Sequence, residues 1–397
     1  AFVATGVKSG DIVSICSVST PEIIFSIYAL SKIGATVNIL EPRNNAERIE
    51  YYLKLTESKI LVMVDKVFPK INAIIKNTSI EKVFVVSPTN SAALHIKLLS
   101  QFKKKDVHCD GKTYIEWNEF IKKTQQLIIA AKYFEEHPAV IVYTGGTTGV
   151  PKGVMLSDKA LNTVSLQMSN LDSLFVRKKR FLNIMPPFIA YGITCGIHMP
   201  LCCGMTVTII PNFAPENLSK LVLKNKPNSL MGVPSHYEVL AKDSRMKGKD
   251  LGYLDGCGVG GDAFVPSVET LVNNFLSEHN APNKISKGYG MTEICSAVSA
   301  CYSDKNKFGS VGIPFCKNVV AIFNPDTGEE VSYNEIGEIC FYSPTMMLGY
   351  YKNQEETDKV LKRHNDDKVW VHTNDIGYVD EDGFIFIIGS MKRMIIR

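Results

Sequence analysis

Val142-Tyr143-Thr144-Gly145-Gly146-Thr147-Thr148-Gly149-Val150-Pro151-Lys152-Gly153-Val154-Met155-Leu156-Ser157 is the stretch on which the reading of this chain turns. Ala139 to Tyr143 is apolar and β-branched, as a buried strand requires. The strand cannot run on through the glycines. Gly145, Gly146, Gly149 and Gly153 open backbone conformations closed to other residues, so successive N–H groups can converge on one anion. Thr144, Thr147 and Thr148 add hydroxyl donors, and Lys152 adds a mobile point charge. A turn between strands needs one or two special residues; eight in one short loop point to phosphate. The Walker loop is excluded. That pattern requires Gly-Lys-Ser/Thr, whereas Lys152 follows Pro151 and precedes Gly153.

A second landmark lies downstream, at Gly288-Tyr289-Gly290-Met291-Thr292-Glu293, after the short strand-like run Lys284-Ile285-Ser286. At a strand end Tyr289 offers a flat face to a purine, Thr292 a hydroxyl to a phosphate and Glu293 a hard oxygen to Mg²⁺. Taken alone, the segment reads equally well as a loop with a core tyrosine and a solvated glutamate.

Tyr143 to Gly153 resembles the signature loop of the adenylate-forming superfamily, whose members include acyl-CoA synthetases, firefly luciferases and the adenylation domains of nonribosomal peptide synthetases. The resemblance runs over nearly the whole chain. It implies that Thr144, Gly145, Gly146, Thr147, Thr148, Gly149 and Lys152 hold the phosphates of ATP while a carboxylate attacks the α-phosphate. Gly288 to Thr292 then form the adenine-stacking and phosphate-contacting segment, and Glu293 is the metal ligand. Thr144, Lys152, Thr292 and Glu293 form the implied catalytic set.

Gly260-Gly261-Asp262, after the strand-like Gly256 to Val259, resembles the other wall of the adenine slot, although a plain turn fits almost as well. Trp370-Val371-His372-Thr373-Asn374-Asp375 resembles the family's Trp-x-x-Thr-Gly-Asp, whose aspartate accepts hydrogen bonds from both ribose hydroxyls. Asn374 replaces the usual glycine, a tolerable change because Asn is enriched at positive φ.

Two departures matter more. The family's Gly-Arg-x-Lys-Asp appears as Gly389-Ser390-Met391-Lys392-Arg393, so Ser390 replaces a nucleotide-contacting arginine and Arg393 occupies the hinge position. A hydrogen bond to a charged group contributes about 1.5–3 kcal/mol, so its loss weakens nucleotide binding unless a neighbour compensates. Met185 to Gly192 resembles the segment lining the acyl pocket, placing Phe188, Ile189, Tyr191 and Gly192 there, with His236 of Val233-Pro234-Ser235-His236 nearby or acting as a helix cap. The segment also reads as a core strand. Many CoA ligases carry histidine and amino-acid-activating domains carry aspartate where this chain has Ile189. An α-ammonium would be left unpaired beside isoleucine, so an uncharged, apolar acyl group is favoured. The segments Gly337-Glu338-Ile339 and Gly349-Tyr350-Tyr351 are weaker landmarks resembling the family's Gly-Glu-Leu and Gly-Tyr segments, and Asp158, where histidine is frequent, is a further small departure.

Composition narrows the field. A net charge of +4 from 44 basic and 40 acidic residues gives no electrostatic footprint for nucleic acid. With 45% hydrophobic and 21% charged residues, the 397-residue chain is ordinary for a globular protein. Its ten cysteines include no Cys-x-x-Cys pair and fit buried thiols in a reducing compartment. No apolar run has transmembrane length, and no secretory signal opens the sequence, so the expected location is cytoplasmic.

Strand-like runs at 12–15, 36–40, 60–64 and 83–86 alternate with amphipathic helical stretches, and the rhythm resumes after the loop at 180–185, 206–210, 229–233 and 285–288. The fold class is therefore α/β: a large domain with two βαβ-type sheets flanked by helices, acyl-CoA synthetase-like, over 1–315. A smaller β-rich subdomain with strands at 319–323, 338–342, 376–379 and 384–388 occupies 316–397 and ends at the hinge. The family's mobile C-terminal domain, with its adenylation lysine, is not in this sequence. The resemblance implies an AMP-forming acyl-CoA synthetase using ATP, Mg²⁺ and coenzyme A on a small-molecule carboxylic acid, with no nucleic acid partner and no integral membrane segment; a homodimer is compatible. The alternatives are an adenylation domain loading a carrier protein and a nucleotide-binding module without turnover.

Overall fold

The computed structural model describes residues 1–92, 107–123, 130–144, 151–171 and 174–391. They divide into two compact units, one comprising Ala1–Asp158 with Pro186–Ile189 and Ile209–Asn212, the other Lys159–Met185, Ala190–Thr208 and Phe213–Arg397.

The first unit is built on seven strands: Ile12–Cys16 (β1), Thr36–Leu40 (β2), Ile60–Val64 (β3), Lys82–Val86 (β4), Tyr114–Glu116 (β5), Pro138–Thr144 (β6) and Lys152–Ser157 (β7). Their order is β7-β6-β2-β1-β3-β4-β5. Helices cover both faces of such a sheet, and every residue of β2 and β3 is buried; the polar Asn38 within β2 donates its amide N–H groups to the Ser14 and Thr56 hydroxyls. The exception to parallel pairing is β6 with β7. This antiparallel pair sets Thr144 opposite Lys152 at the base of the glycine-rich loop.

The second unit carries Arg180–Asn183 (β8), Thr206–Ile209 (β9, all but its last residue), Ser229–Gly232 (β10), Gly256–Val259 (β11), Ser286–Tyr289 (β12), Ser299–Ala300 (β13) and Ile313–Pro314 (β14), ordered β14-β13-β12-β11-β10-β8-β9. The strands β8, β10, β11 and β12 are parallel, so the carboxyl ends of β10, β11 and β12 emerge along one edge, where open α/β sheets bind their ligands. A further antiparallel sheet follows. It joins Val319–Phe323 (β15), Gly337–Tyr342 (β16), Leu361–Arg363 (β18), Val369–Val379 (β19) and Ile385–Ser390 (β20), with the short strand Gly349–Tyr350 (β17) between β16 and β18 in sequence. Ala321, Phe323, Cys340 and Trp370 form its apolar core.

The α/β class with an added antiparallel part is as expected, but three local readings differ. The strand expected at 376–379 is the end of the longer β19, which runs through the Trp370–Asp375 segment. The strand before Gly288 starts at Ser286 and extends to Tyr289. Met185 to Gly192 is not a core strand: β8 ends at Asn183, the chain turns through Pro186 and Pro187, and it enters a π-helical stretch at Gly192–His198. Prolines lack the N–H a ladder needs, which ends strand pairing there. The C-terminal part also retains one helix, Gln354–Val360.

Candidate nucleotide-binding site

At the carboxyl end of β12, Tyr289 donates its hydroxyl hydrogen bond to Asp375 Oδ2 at 2.7 Å, across 86 residues of sequence. Burial and the Asp375 charge push this phenol well above its usual range, so it stays a neutral donor. The Tyr289 ring lies 5.9 Å from that of Phe341. Beside it, Gly260 follows β11, and a Cβ there would stand 3.1 Å from the Gly288 carbonyl oxygen. Two glycine segments read separately from the sequence therefore come together at one sheet edge. Asp262 is exposed, and its Oδ1 accepts the neighbouring Ala263 N–H at 2.8 Å, as in an ordinary turn.

Beyond Tyr289 the backbone doubles back on itself. A Cβ at Gly290 would lie 1.4 Å from the Ser296 carbonyl oxygen, so no side chain fits. The turn closes through a short 3₁₀ segment, Thr292–Ile294, and through Cys295 and Ser296, both at positive φ (57° and 93°). The Ser296 N–H reaches Met291 O at 3.0 Å and the Val298 N–H reaches Tyr289 O at 2.9 Å. This geometry buries Glu293. Its Oε1 accepts the Tyr350 hydroxyl at 2.7 Å, and its carbonyl accepts the Met347 N–H at 2.8 Å. Burial and the Glu293 charge push the Tyr350 phenol upward. Mg²⁺ keeps several waters and takes one or two protein carboxylates beside substrate phosphates, a role that a single oriented carboxylate such as Glu293 fits.

Asp375 sits in a bulge of β19. The strand pairs Glu338 with Ile376 and Cys340 with His372, so four steps along β19 face two along β16. Such irregularities re-aim side chains. Asn374 takes φ 59°, the left-handed conformation its glycine-like position requires. The bulge is held by side chains: Thr373 Oγ1 donates to Ile339 O at 2.7 Å and accepts the Asp375 N–H at 3.0 Å, and Glu338 Oε1 accepts the Asn374 N–H at 2.8 Å. Ser390, the residue in place of arginine, lies on β20, pairs with Asp375 of β19 and donates its hydroxyl to Asn374 O at 3.0 Å.

The remaining candidates are distributed as follows. Thr144 and Lys152 are half-buried at the β6–β7 base, while Gly145, Gly146, Thr147, Thr148, Gly149 and Arg393 lie outside the described residues. Phe188 and Ile189 belong to the first unit, where Phe188 is buried with the Arg43 guanidinium 5.4 Å from its ring centroid. Tyr191 and Gly192 belong to the second, where the Tyr191 hydroxyl donates to Gly232 O at 3.3 Å. His236 acts as a cap: its Nδ1 accepts the Val233 N–H at 3.3 Å, and burial lowers its basicity. Sequence reasoning gave no role to Tyr350 or Glu338. Both lie in segments noted above only as landmarks, and an acidic residue inside the otherwise apolar strand Gly-Glu-Ile-Cys-Phe-Tyr was a further signal.

Among the described residues no helix is long and apolar enough to cross a membrane. Compared with known proteins, residues 1–351 match the family described as AMP-binding enzyme. The chain is 29% identical over 399 residues to a long-chain-fatty-acid–CoA ligase of Bacillus subtilis, covering 98% of this chain and 70% of that protein. It is 26% identical to a 4-coumarate–CoA ligase of Arabidopsis thaliana, covering 99% and 68%. Among solved structures, a long-chain-fatty-acid-CoA ligase from Archaeoglobus fulgidus superposes with a TM-score of 0.84 at 23% identity, covering 98% of this chain and 74% of that one.

Proposed function

The chain belongs to the AMP-binding enzyme family, and from that premise we propose that it is an AMP-forming acid–thiol ligase for apolar carboxylic acids. The carboxylate attacks the α-phosphorus of ATP, the bond to the β-phosphate oxygen breaks, and acyl-adenylate and pyrophosphate form. A thiolate then attacks the acyl carbonyl, expelling AMP and leaving a thioester. The names of the similar proteins support coenzyme A over a carrier protein as the thiol.

The protein's contribution in this reading is positioning and charge stabilisation. Asp375 takes the ribose hydroxyls, and Tyr289 both orients that carboxylate and offers its ring to the base. Gly260, Gly261 and Gly288 keep the approach free of side chains. Thr144, Lys152 and the loop they bracket take the phosphates, with Thr292 as a further donor. Mg²⁺, when bound, neutralises phosphate charge; Glu293 would hold it, oriented by Tyr350. Ile189 withholds a counter-charge from an α-ammonium and so favours an apolar acid. Ten thiols outside any disulfide, six of them buried, support a cytoplasmic setting.

The observation that carries the proposal is the Tyr289–Asp375 hydrogen bond at the carboxyl edge of a parallel sheet. Calorimetry of AMP binding tests it: Asp375→Ala and Tyr289→Ala should each weaken affinity at least about tenfold, as loss of a charge-assisted hydrogen bond or of a stacking face does. Unchanged affinity in both variants contradicts the assignment. A second reading, nucleotide binding without turnover, is favoured by Ser390, whose hydroxyl is engaged with Asn374 O and carries no charge. Pyrophosphate release separates the two.

A further inference from the structure

A buried cluster of titratable groups with no part in the chemistry above joins Glu338 and Cys340 on β16 to His372 facing them on β19. His364, half-buried, stands against it. Glu338 Oε2 lies 2.7 Å from His372 Nδ1, and His372 Nε2 lies 2.8 Å from His364 Nε2, with the rings within 19° of parallel. These are hydrogen-bond distances. A tetrahedral Zn²⁺ with N and O bonds of about 2 Å would hold its donors more than ~3 Å apart, so the geometry is a chain of N–H donors and not an ion cage. In that chain His364 donates to His372, and His372 donates to the carboxylate.

The other oxygen of the same carboxylate reaches the bulge. Glu338 Oε1 accepts the N–H of Asn374, the left-handed residue just before Asp375. Although burial opposes its charge, the His372 contact and the Asn374 N–H hold the Glu338 carboxyl below the usual carboxylate range. An ionised acceptor is thus clamped on one side by imidazole and on the other grips a strained turn. Lys362 and Asp366 are the other charged groups acting on the chain, with Cys340 beneath it. Phe323 packs its ring 4.2 Å from that of His364, at the half-exposed end of the chain.

We propose that Glu338, braced by His372 and His364, is a positioning residue that sets the Asn374 turn and thereby aims the Asp375 carboxylate at the ribose hydroxyls. The inference rests on the ribose-binding reading of Asp375. It predicts an effect that distinguishes aiming from general support: the preference for a ribonucleotide over one lacking both hydroxyls.

The test is calorimetric titration of the full chain with AMP and with 2′,3′-dideoxy-AMP. The parent should prefer AMP by about tenfold or more, and Asp375→Ala should abolish that preference. Glu338→Ala should reduce the preference severalfold while leaving dideoxy-AMP affinity unchanged, and Glu338→Gln, whose amide oxygen can still accept the Asn374 N–H, should restore most of it. A core change such as Val272→Ala, which lowers stability without touching the bulge, should leave the preference intact. Should Glu338→Ala fail to fold, His372→Leu carries the test, with a smaller loss of preference expected. If Asp375→Ala removes the preference but neither Glu338→Ala nor His372→Leu diminishes it, the positioning role is overturned and the ribose reading stands. If the parent binds both nucleotides equally, the ribose reading falls and this inference with it. Equal losses for both nucleotides in Glu338→Ala assign the residue to fold stability and overturn its aiming role.

Discussion

The Glu293 turn and the Asp375 bulge are both irregular segments of the same unit, yet they are held in opposite ways. The first is set by excluded volume: Gly290 has no space for a Cβ, and Cys295 and Ser296 adopt positive φ. The second is set by polar side chains, with Thr373, Glu338 and Ser390 each contributing a hydrogen bond to backbone. A segment fixed by backbone packing fails as a whole when one atom is added. One fixed by several hydrogen bonds loosens in steps.

That contrast orders the expected effects. Gly290→Ala should be the most damaging, because its Cβ would fall 1.4 Å from a carbonyl oxygen and the turn must unfold or the β12 end must shift. A loss of roughly 3 kcal/mol or more in chemical denaturation is expected, together with loss of ATP binding. A variant as stable as the parent would show that the turn has slack and that the contrast is wrong.

Tyr350→Phe comes next. It removes the hydroxyl that Glu293 Oε1 accepts and leaves a buried carboxylate oxygen short of a donor, a cost of about 1–3 kcal/mol. The companion change, Glu293→Gln, should weaken Mg²⁺-dependent ATP binding while sparing AMP, since an amide is a poorer ligand for a hard cation. Equal losses for both nucleotides would remove Glu293 from the metal.

In the bulge the steps are smaller. Thr373→Val deletes one bond donated to Ile339 O and one accepted from the Asp375 N–H, and should cost about 1–2 kcal/mol with a matching drop in AMP affinity. Ser390→Ala deletes one half-exposed bond and should cost less than about 1 kcal/mol. If the two were equally damaging, the bulge would behave like the rigid turn. Thermal melts with AMP titrations decide both.

The same contrast explains what the sequence disclosed. Thr36–Leu40, Ile60–Val64, Gly256–Val259 and Val319–Phe323 form strands over the stretches read as strand-like, because short apolar, β-branched runs are local signals. The start of β19 escaped that reading because the bulge at 373–375 breaks the alternation a strand should show. The motif ending in Asp375 was legible as a motif, as were Tyr289 and Glu293, and Asn374 takes the left-handed conformation its place demanded. The hydrogen bonds that orient these residues were not legible. Tyr350 meets Glu293 across 57 residues and Glu338 meets Asn374 across 36, separations that carry no periodicity and no composition signal. Met185 to Gly192 shows the converse: its apolar content left a core strand open as the alternative to a pocket lining, and two prolines make it the approach to a π-helix instead.

The proposed ligase activity is tested most directly by incubating the protein with Mg·ATP and a panel of carboxylic acids, following AMP and pyrophosphate, then thioester after addition of coenzyme A. Pyrophosphate release should depend on the acid, rise about fourfold per added methylene until the acyl site is full, and favour apolar acids over α-amino acids. Thioester should then form with coenzyme A. No acid-dependent pyrophosphate from any member of the panel, or a preference for an α-amino acid, would contradict the proposal.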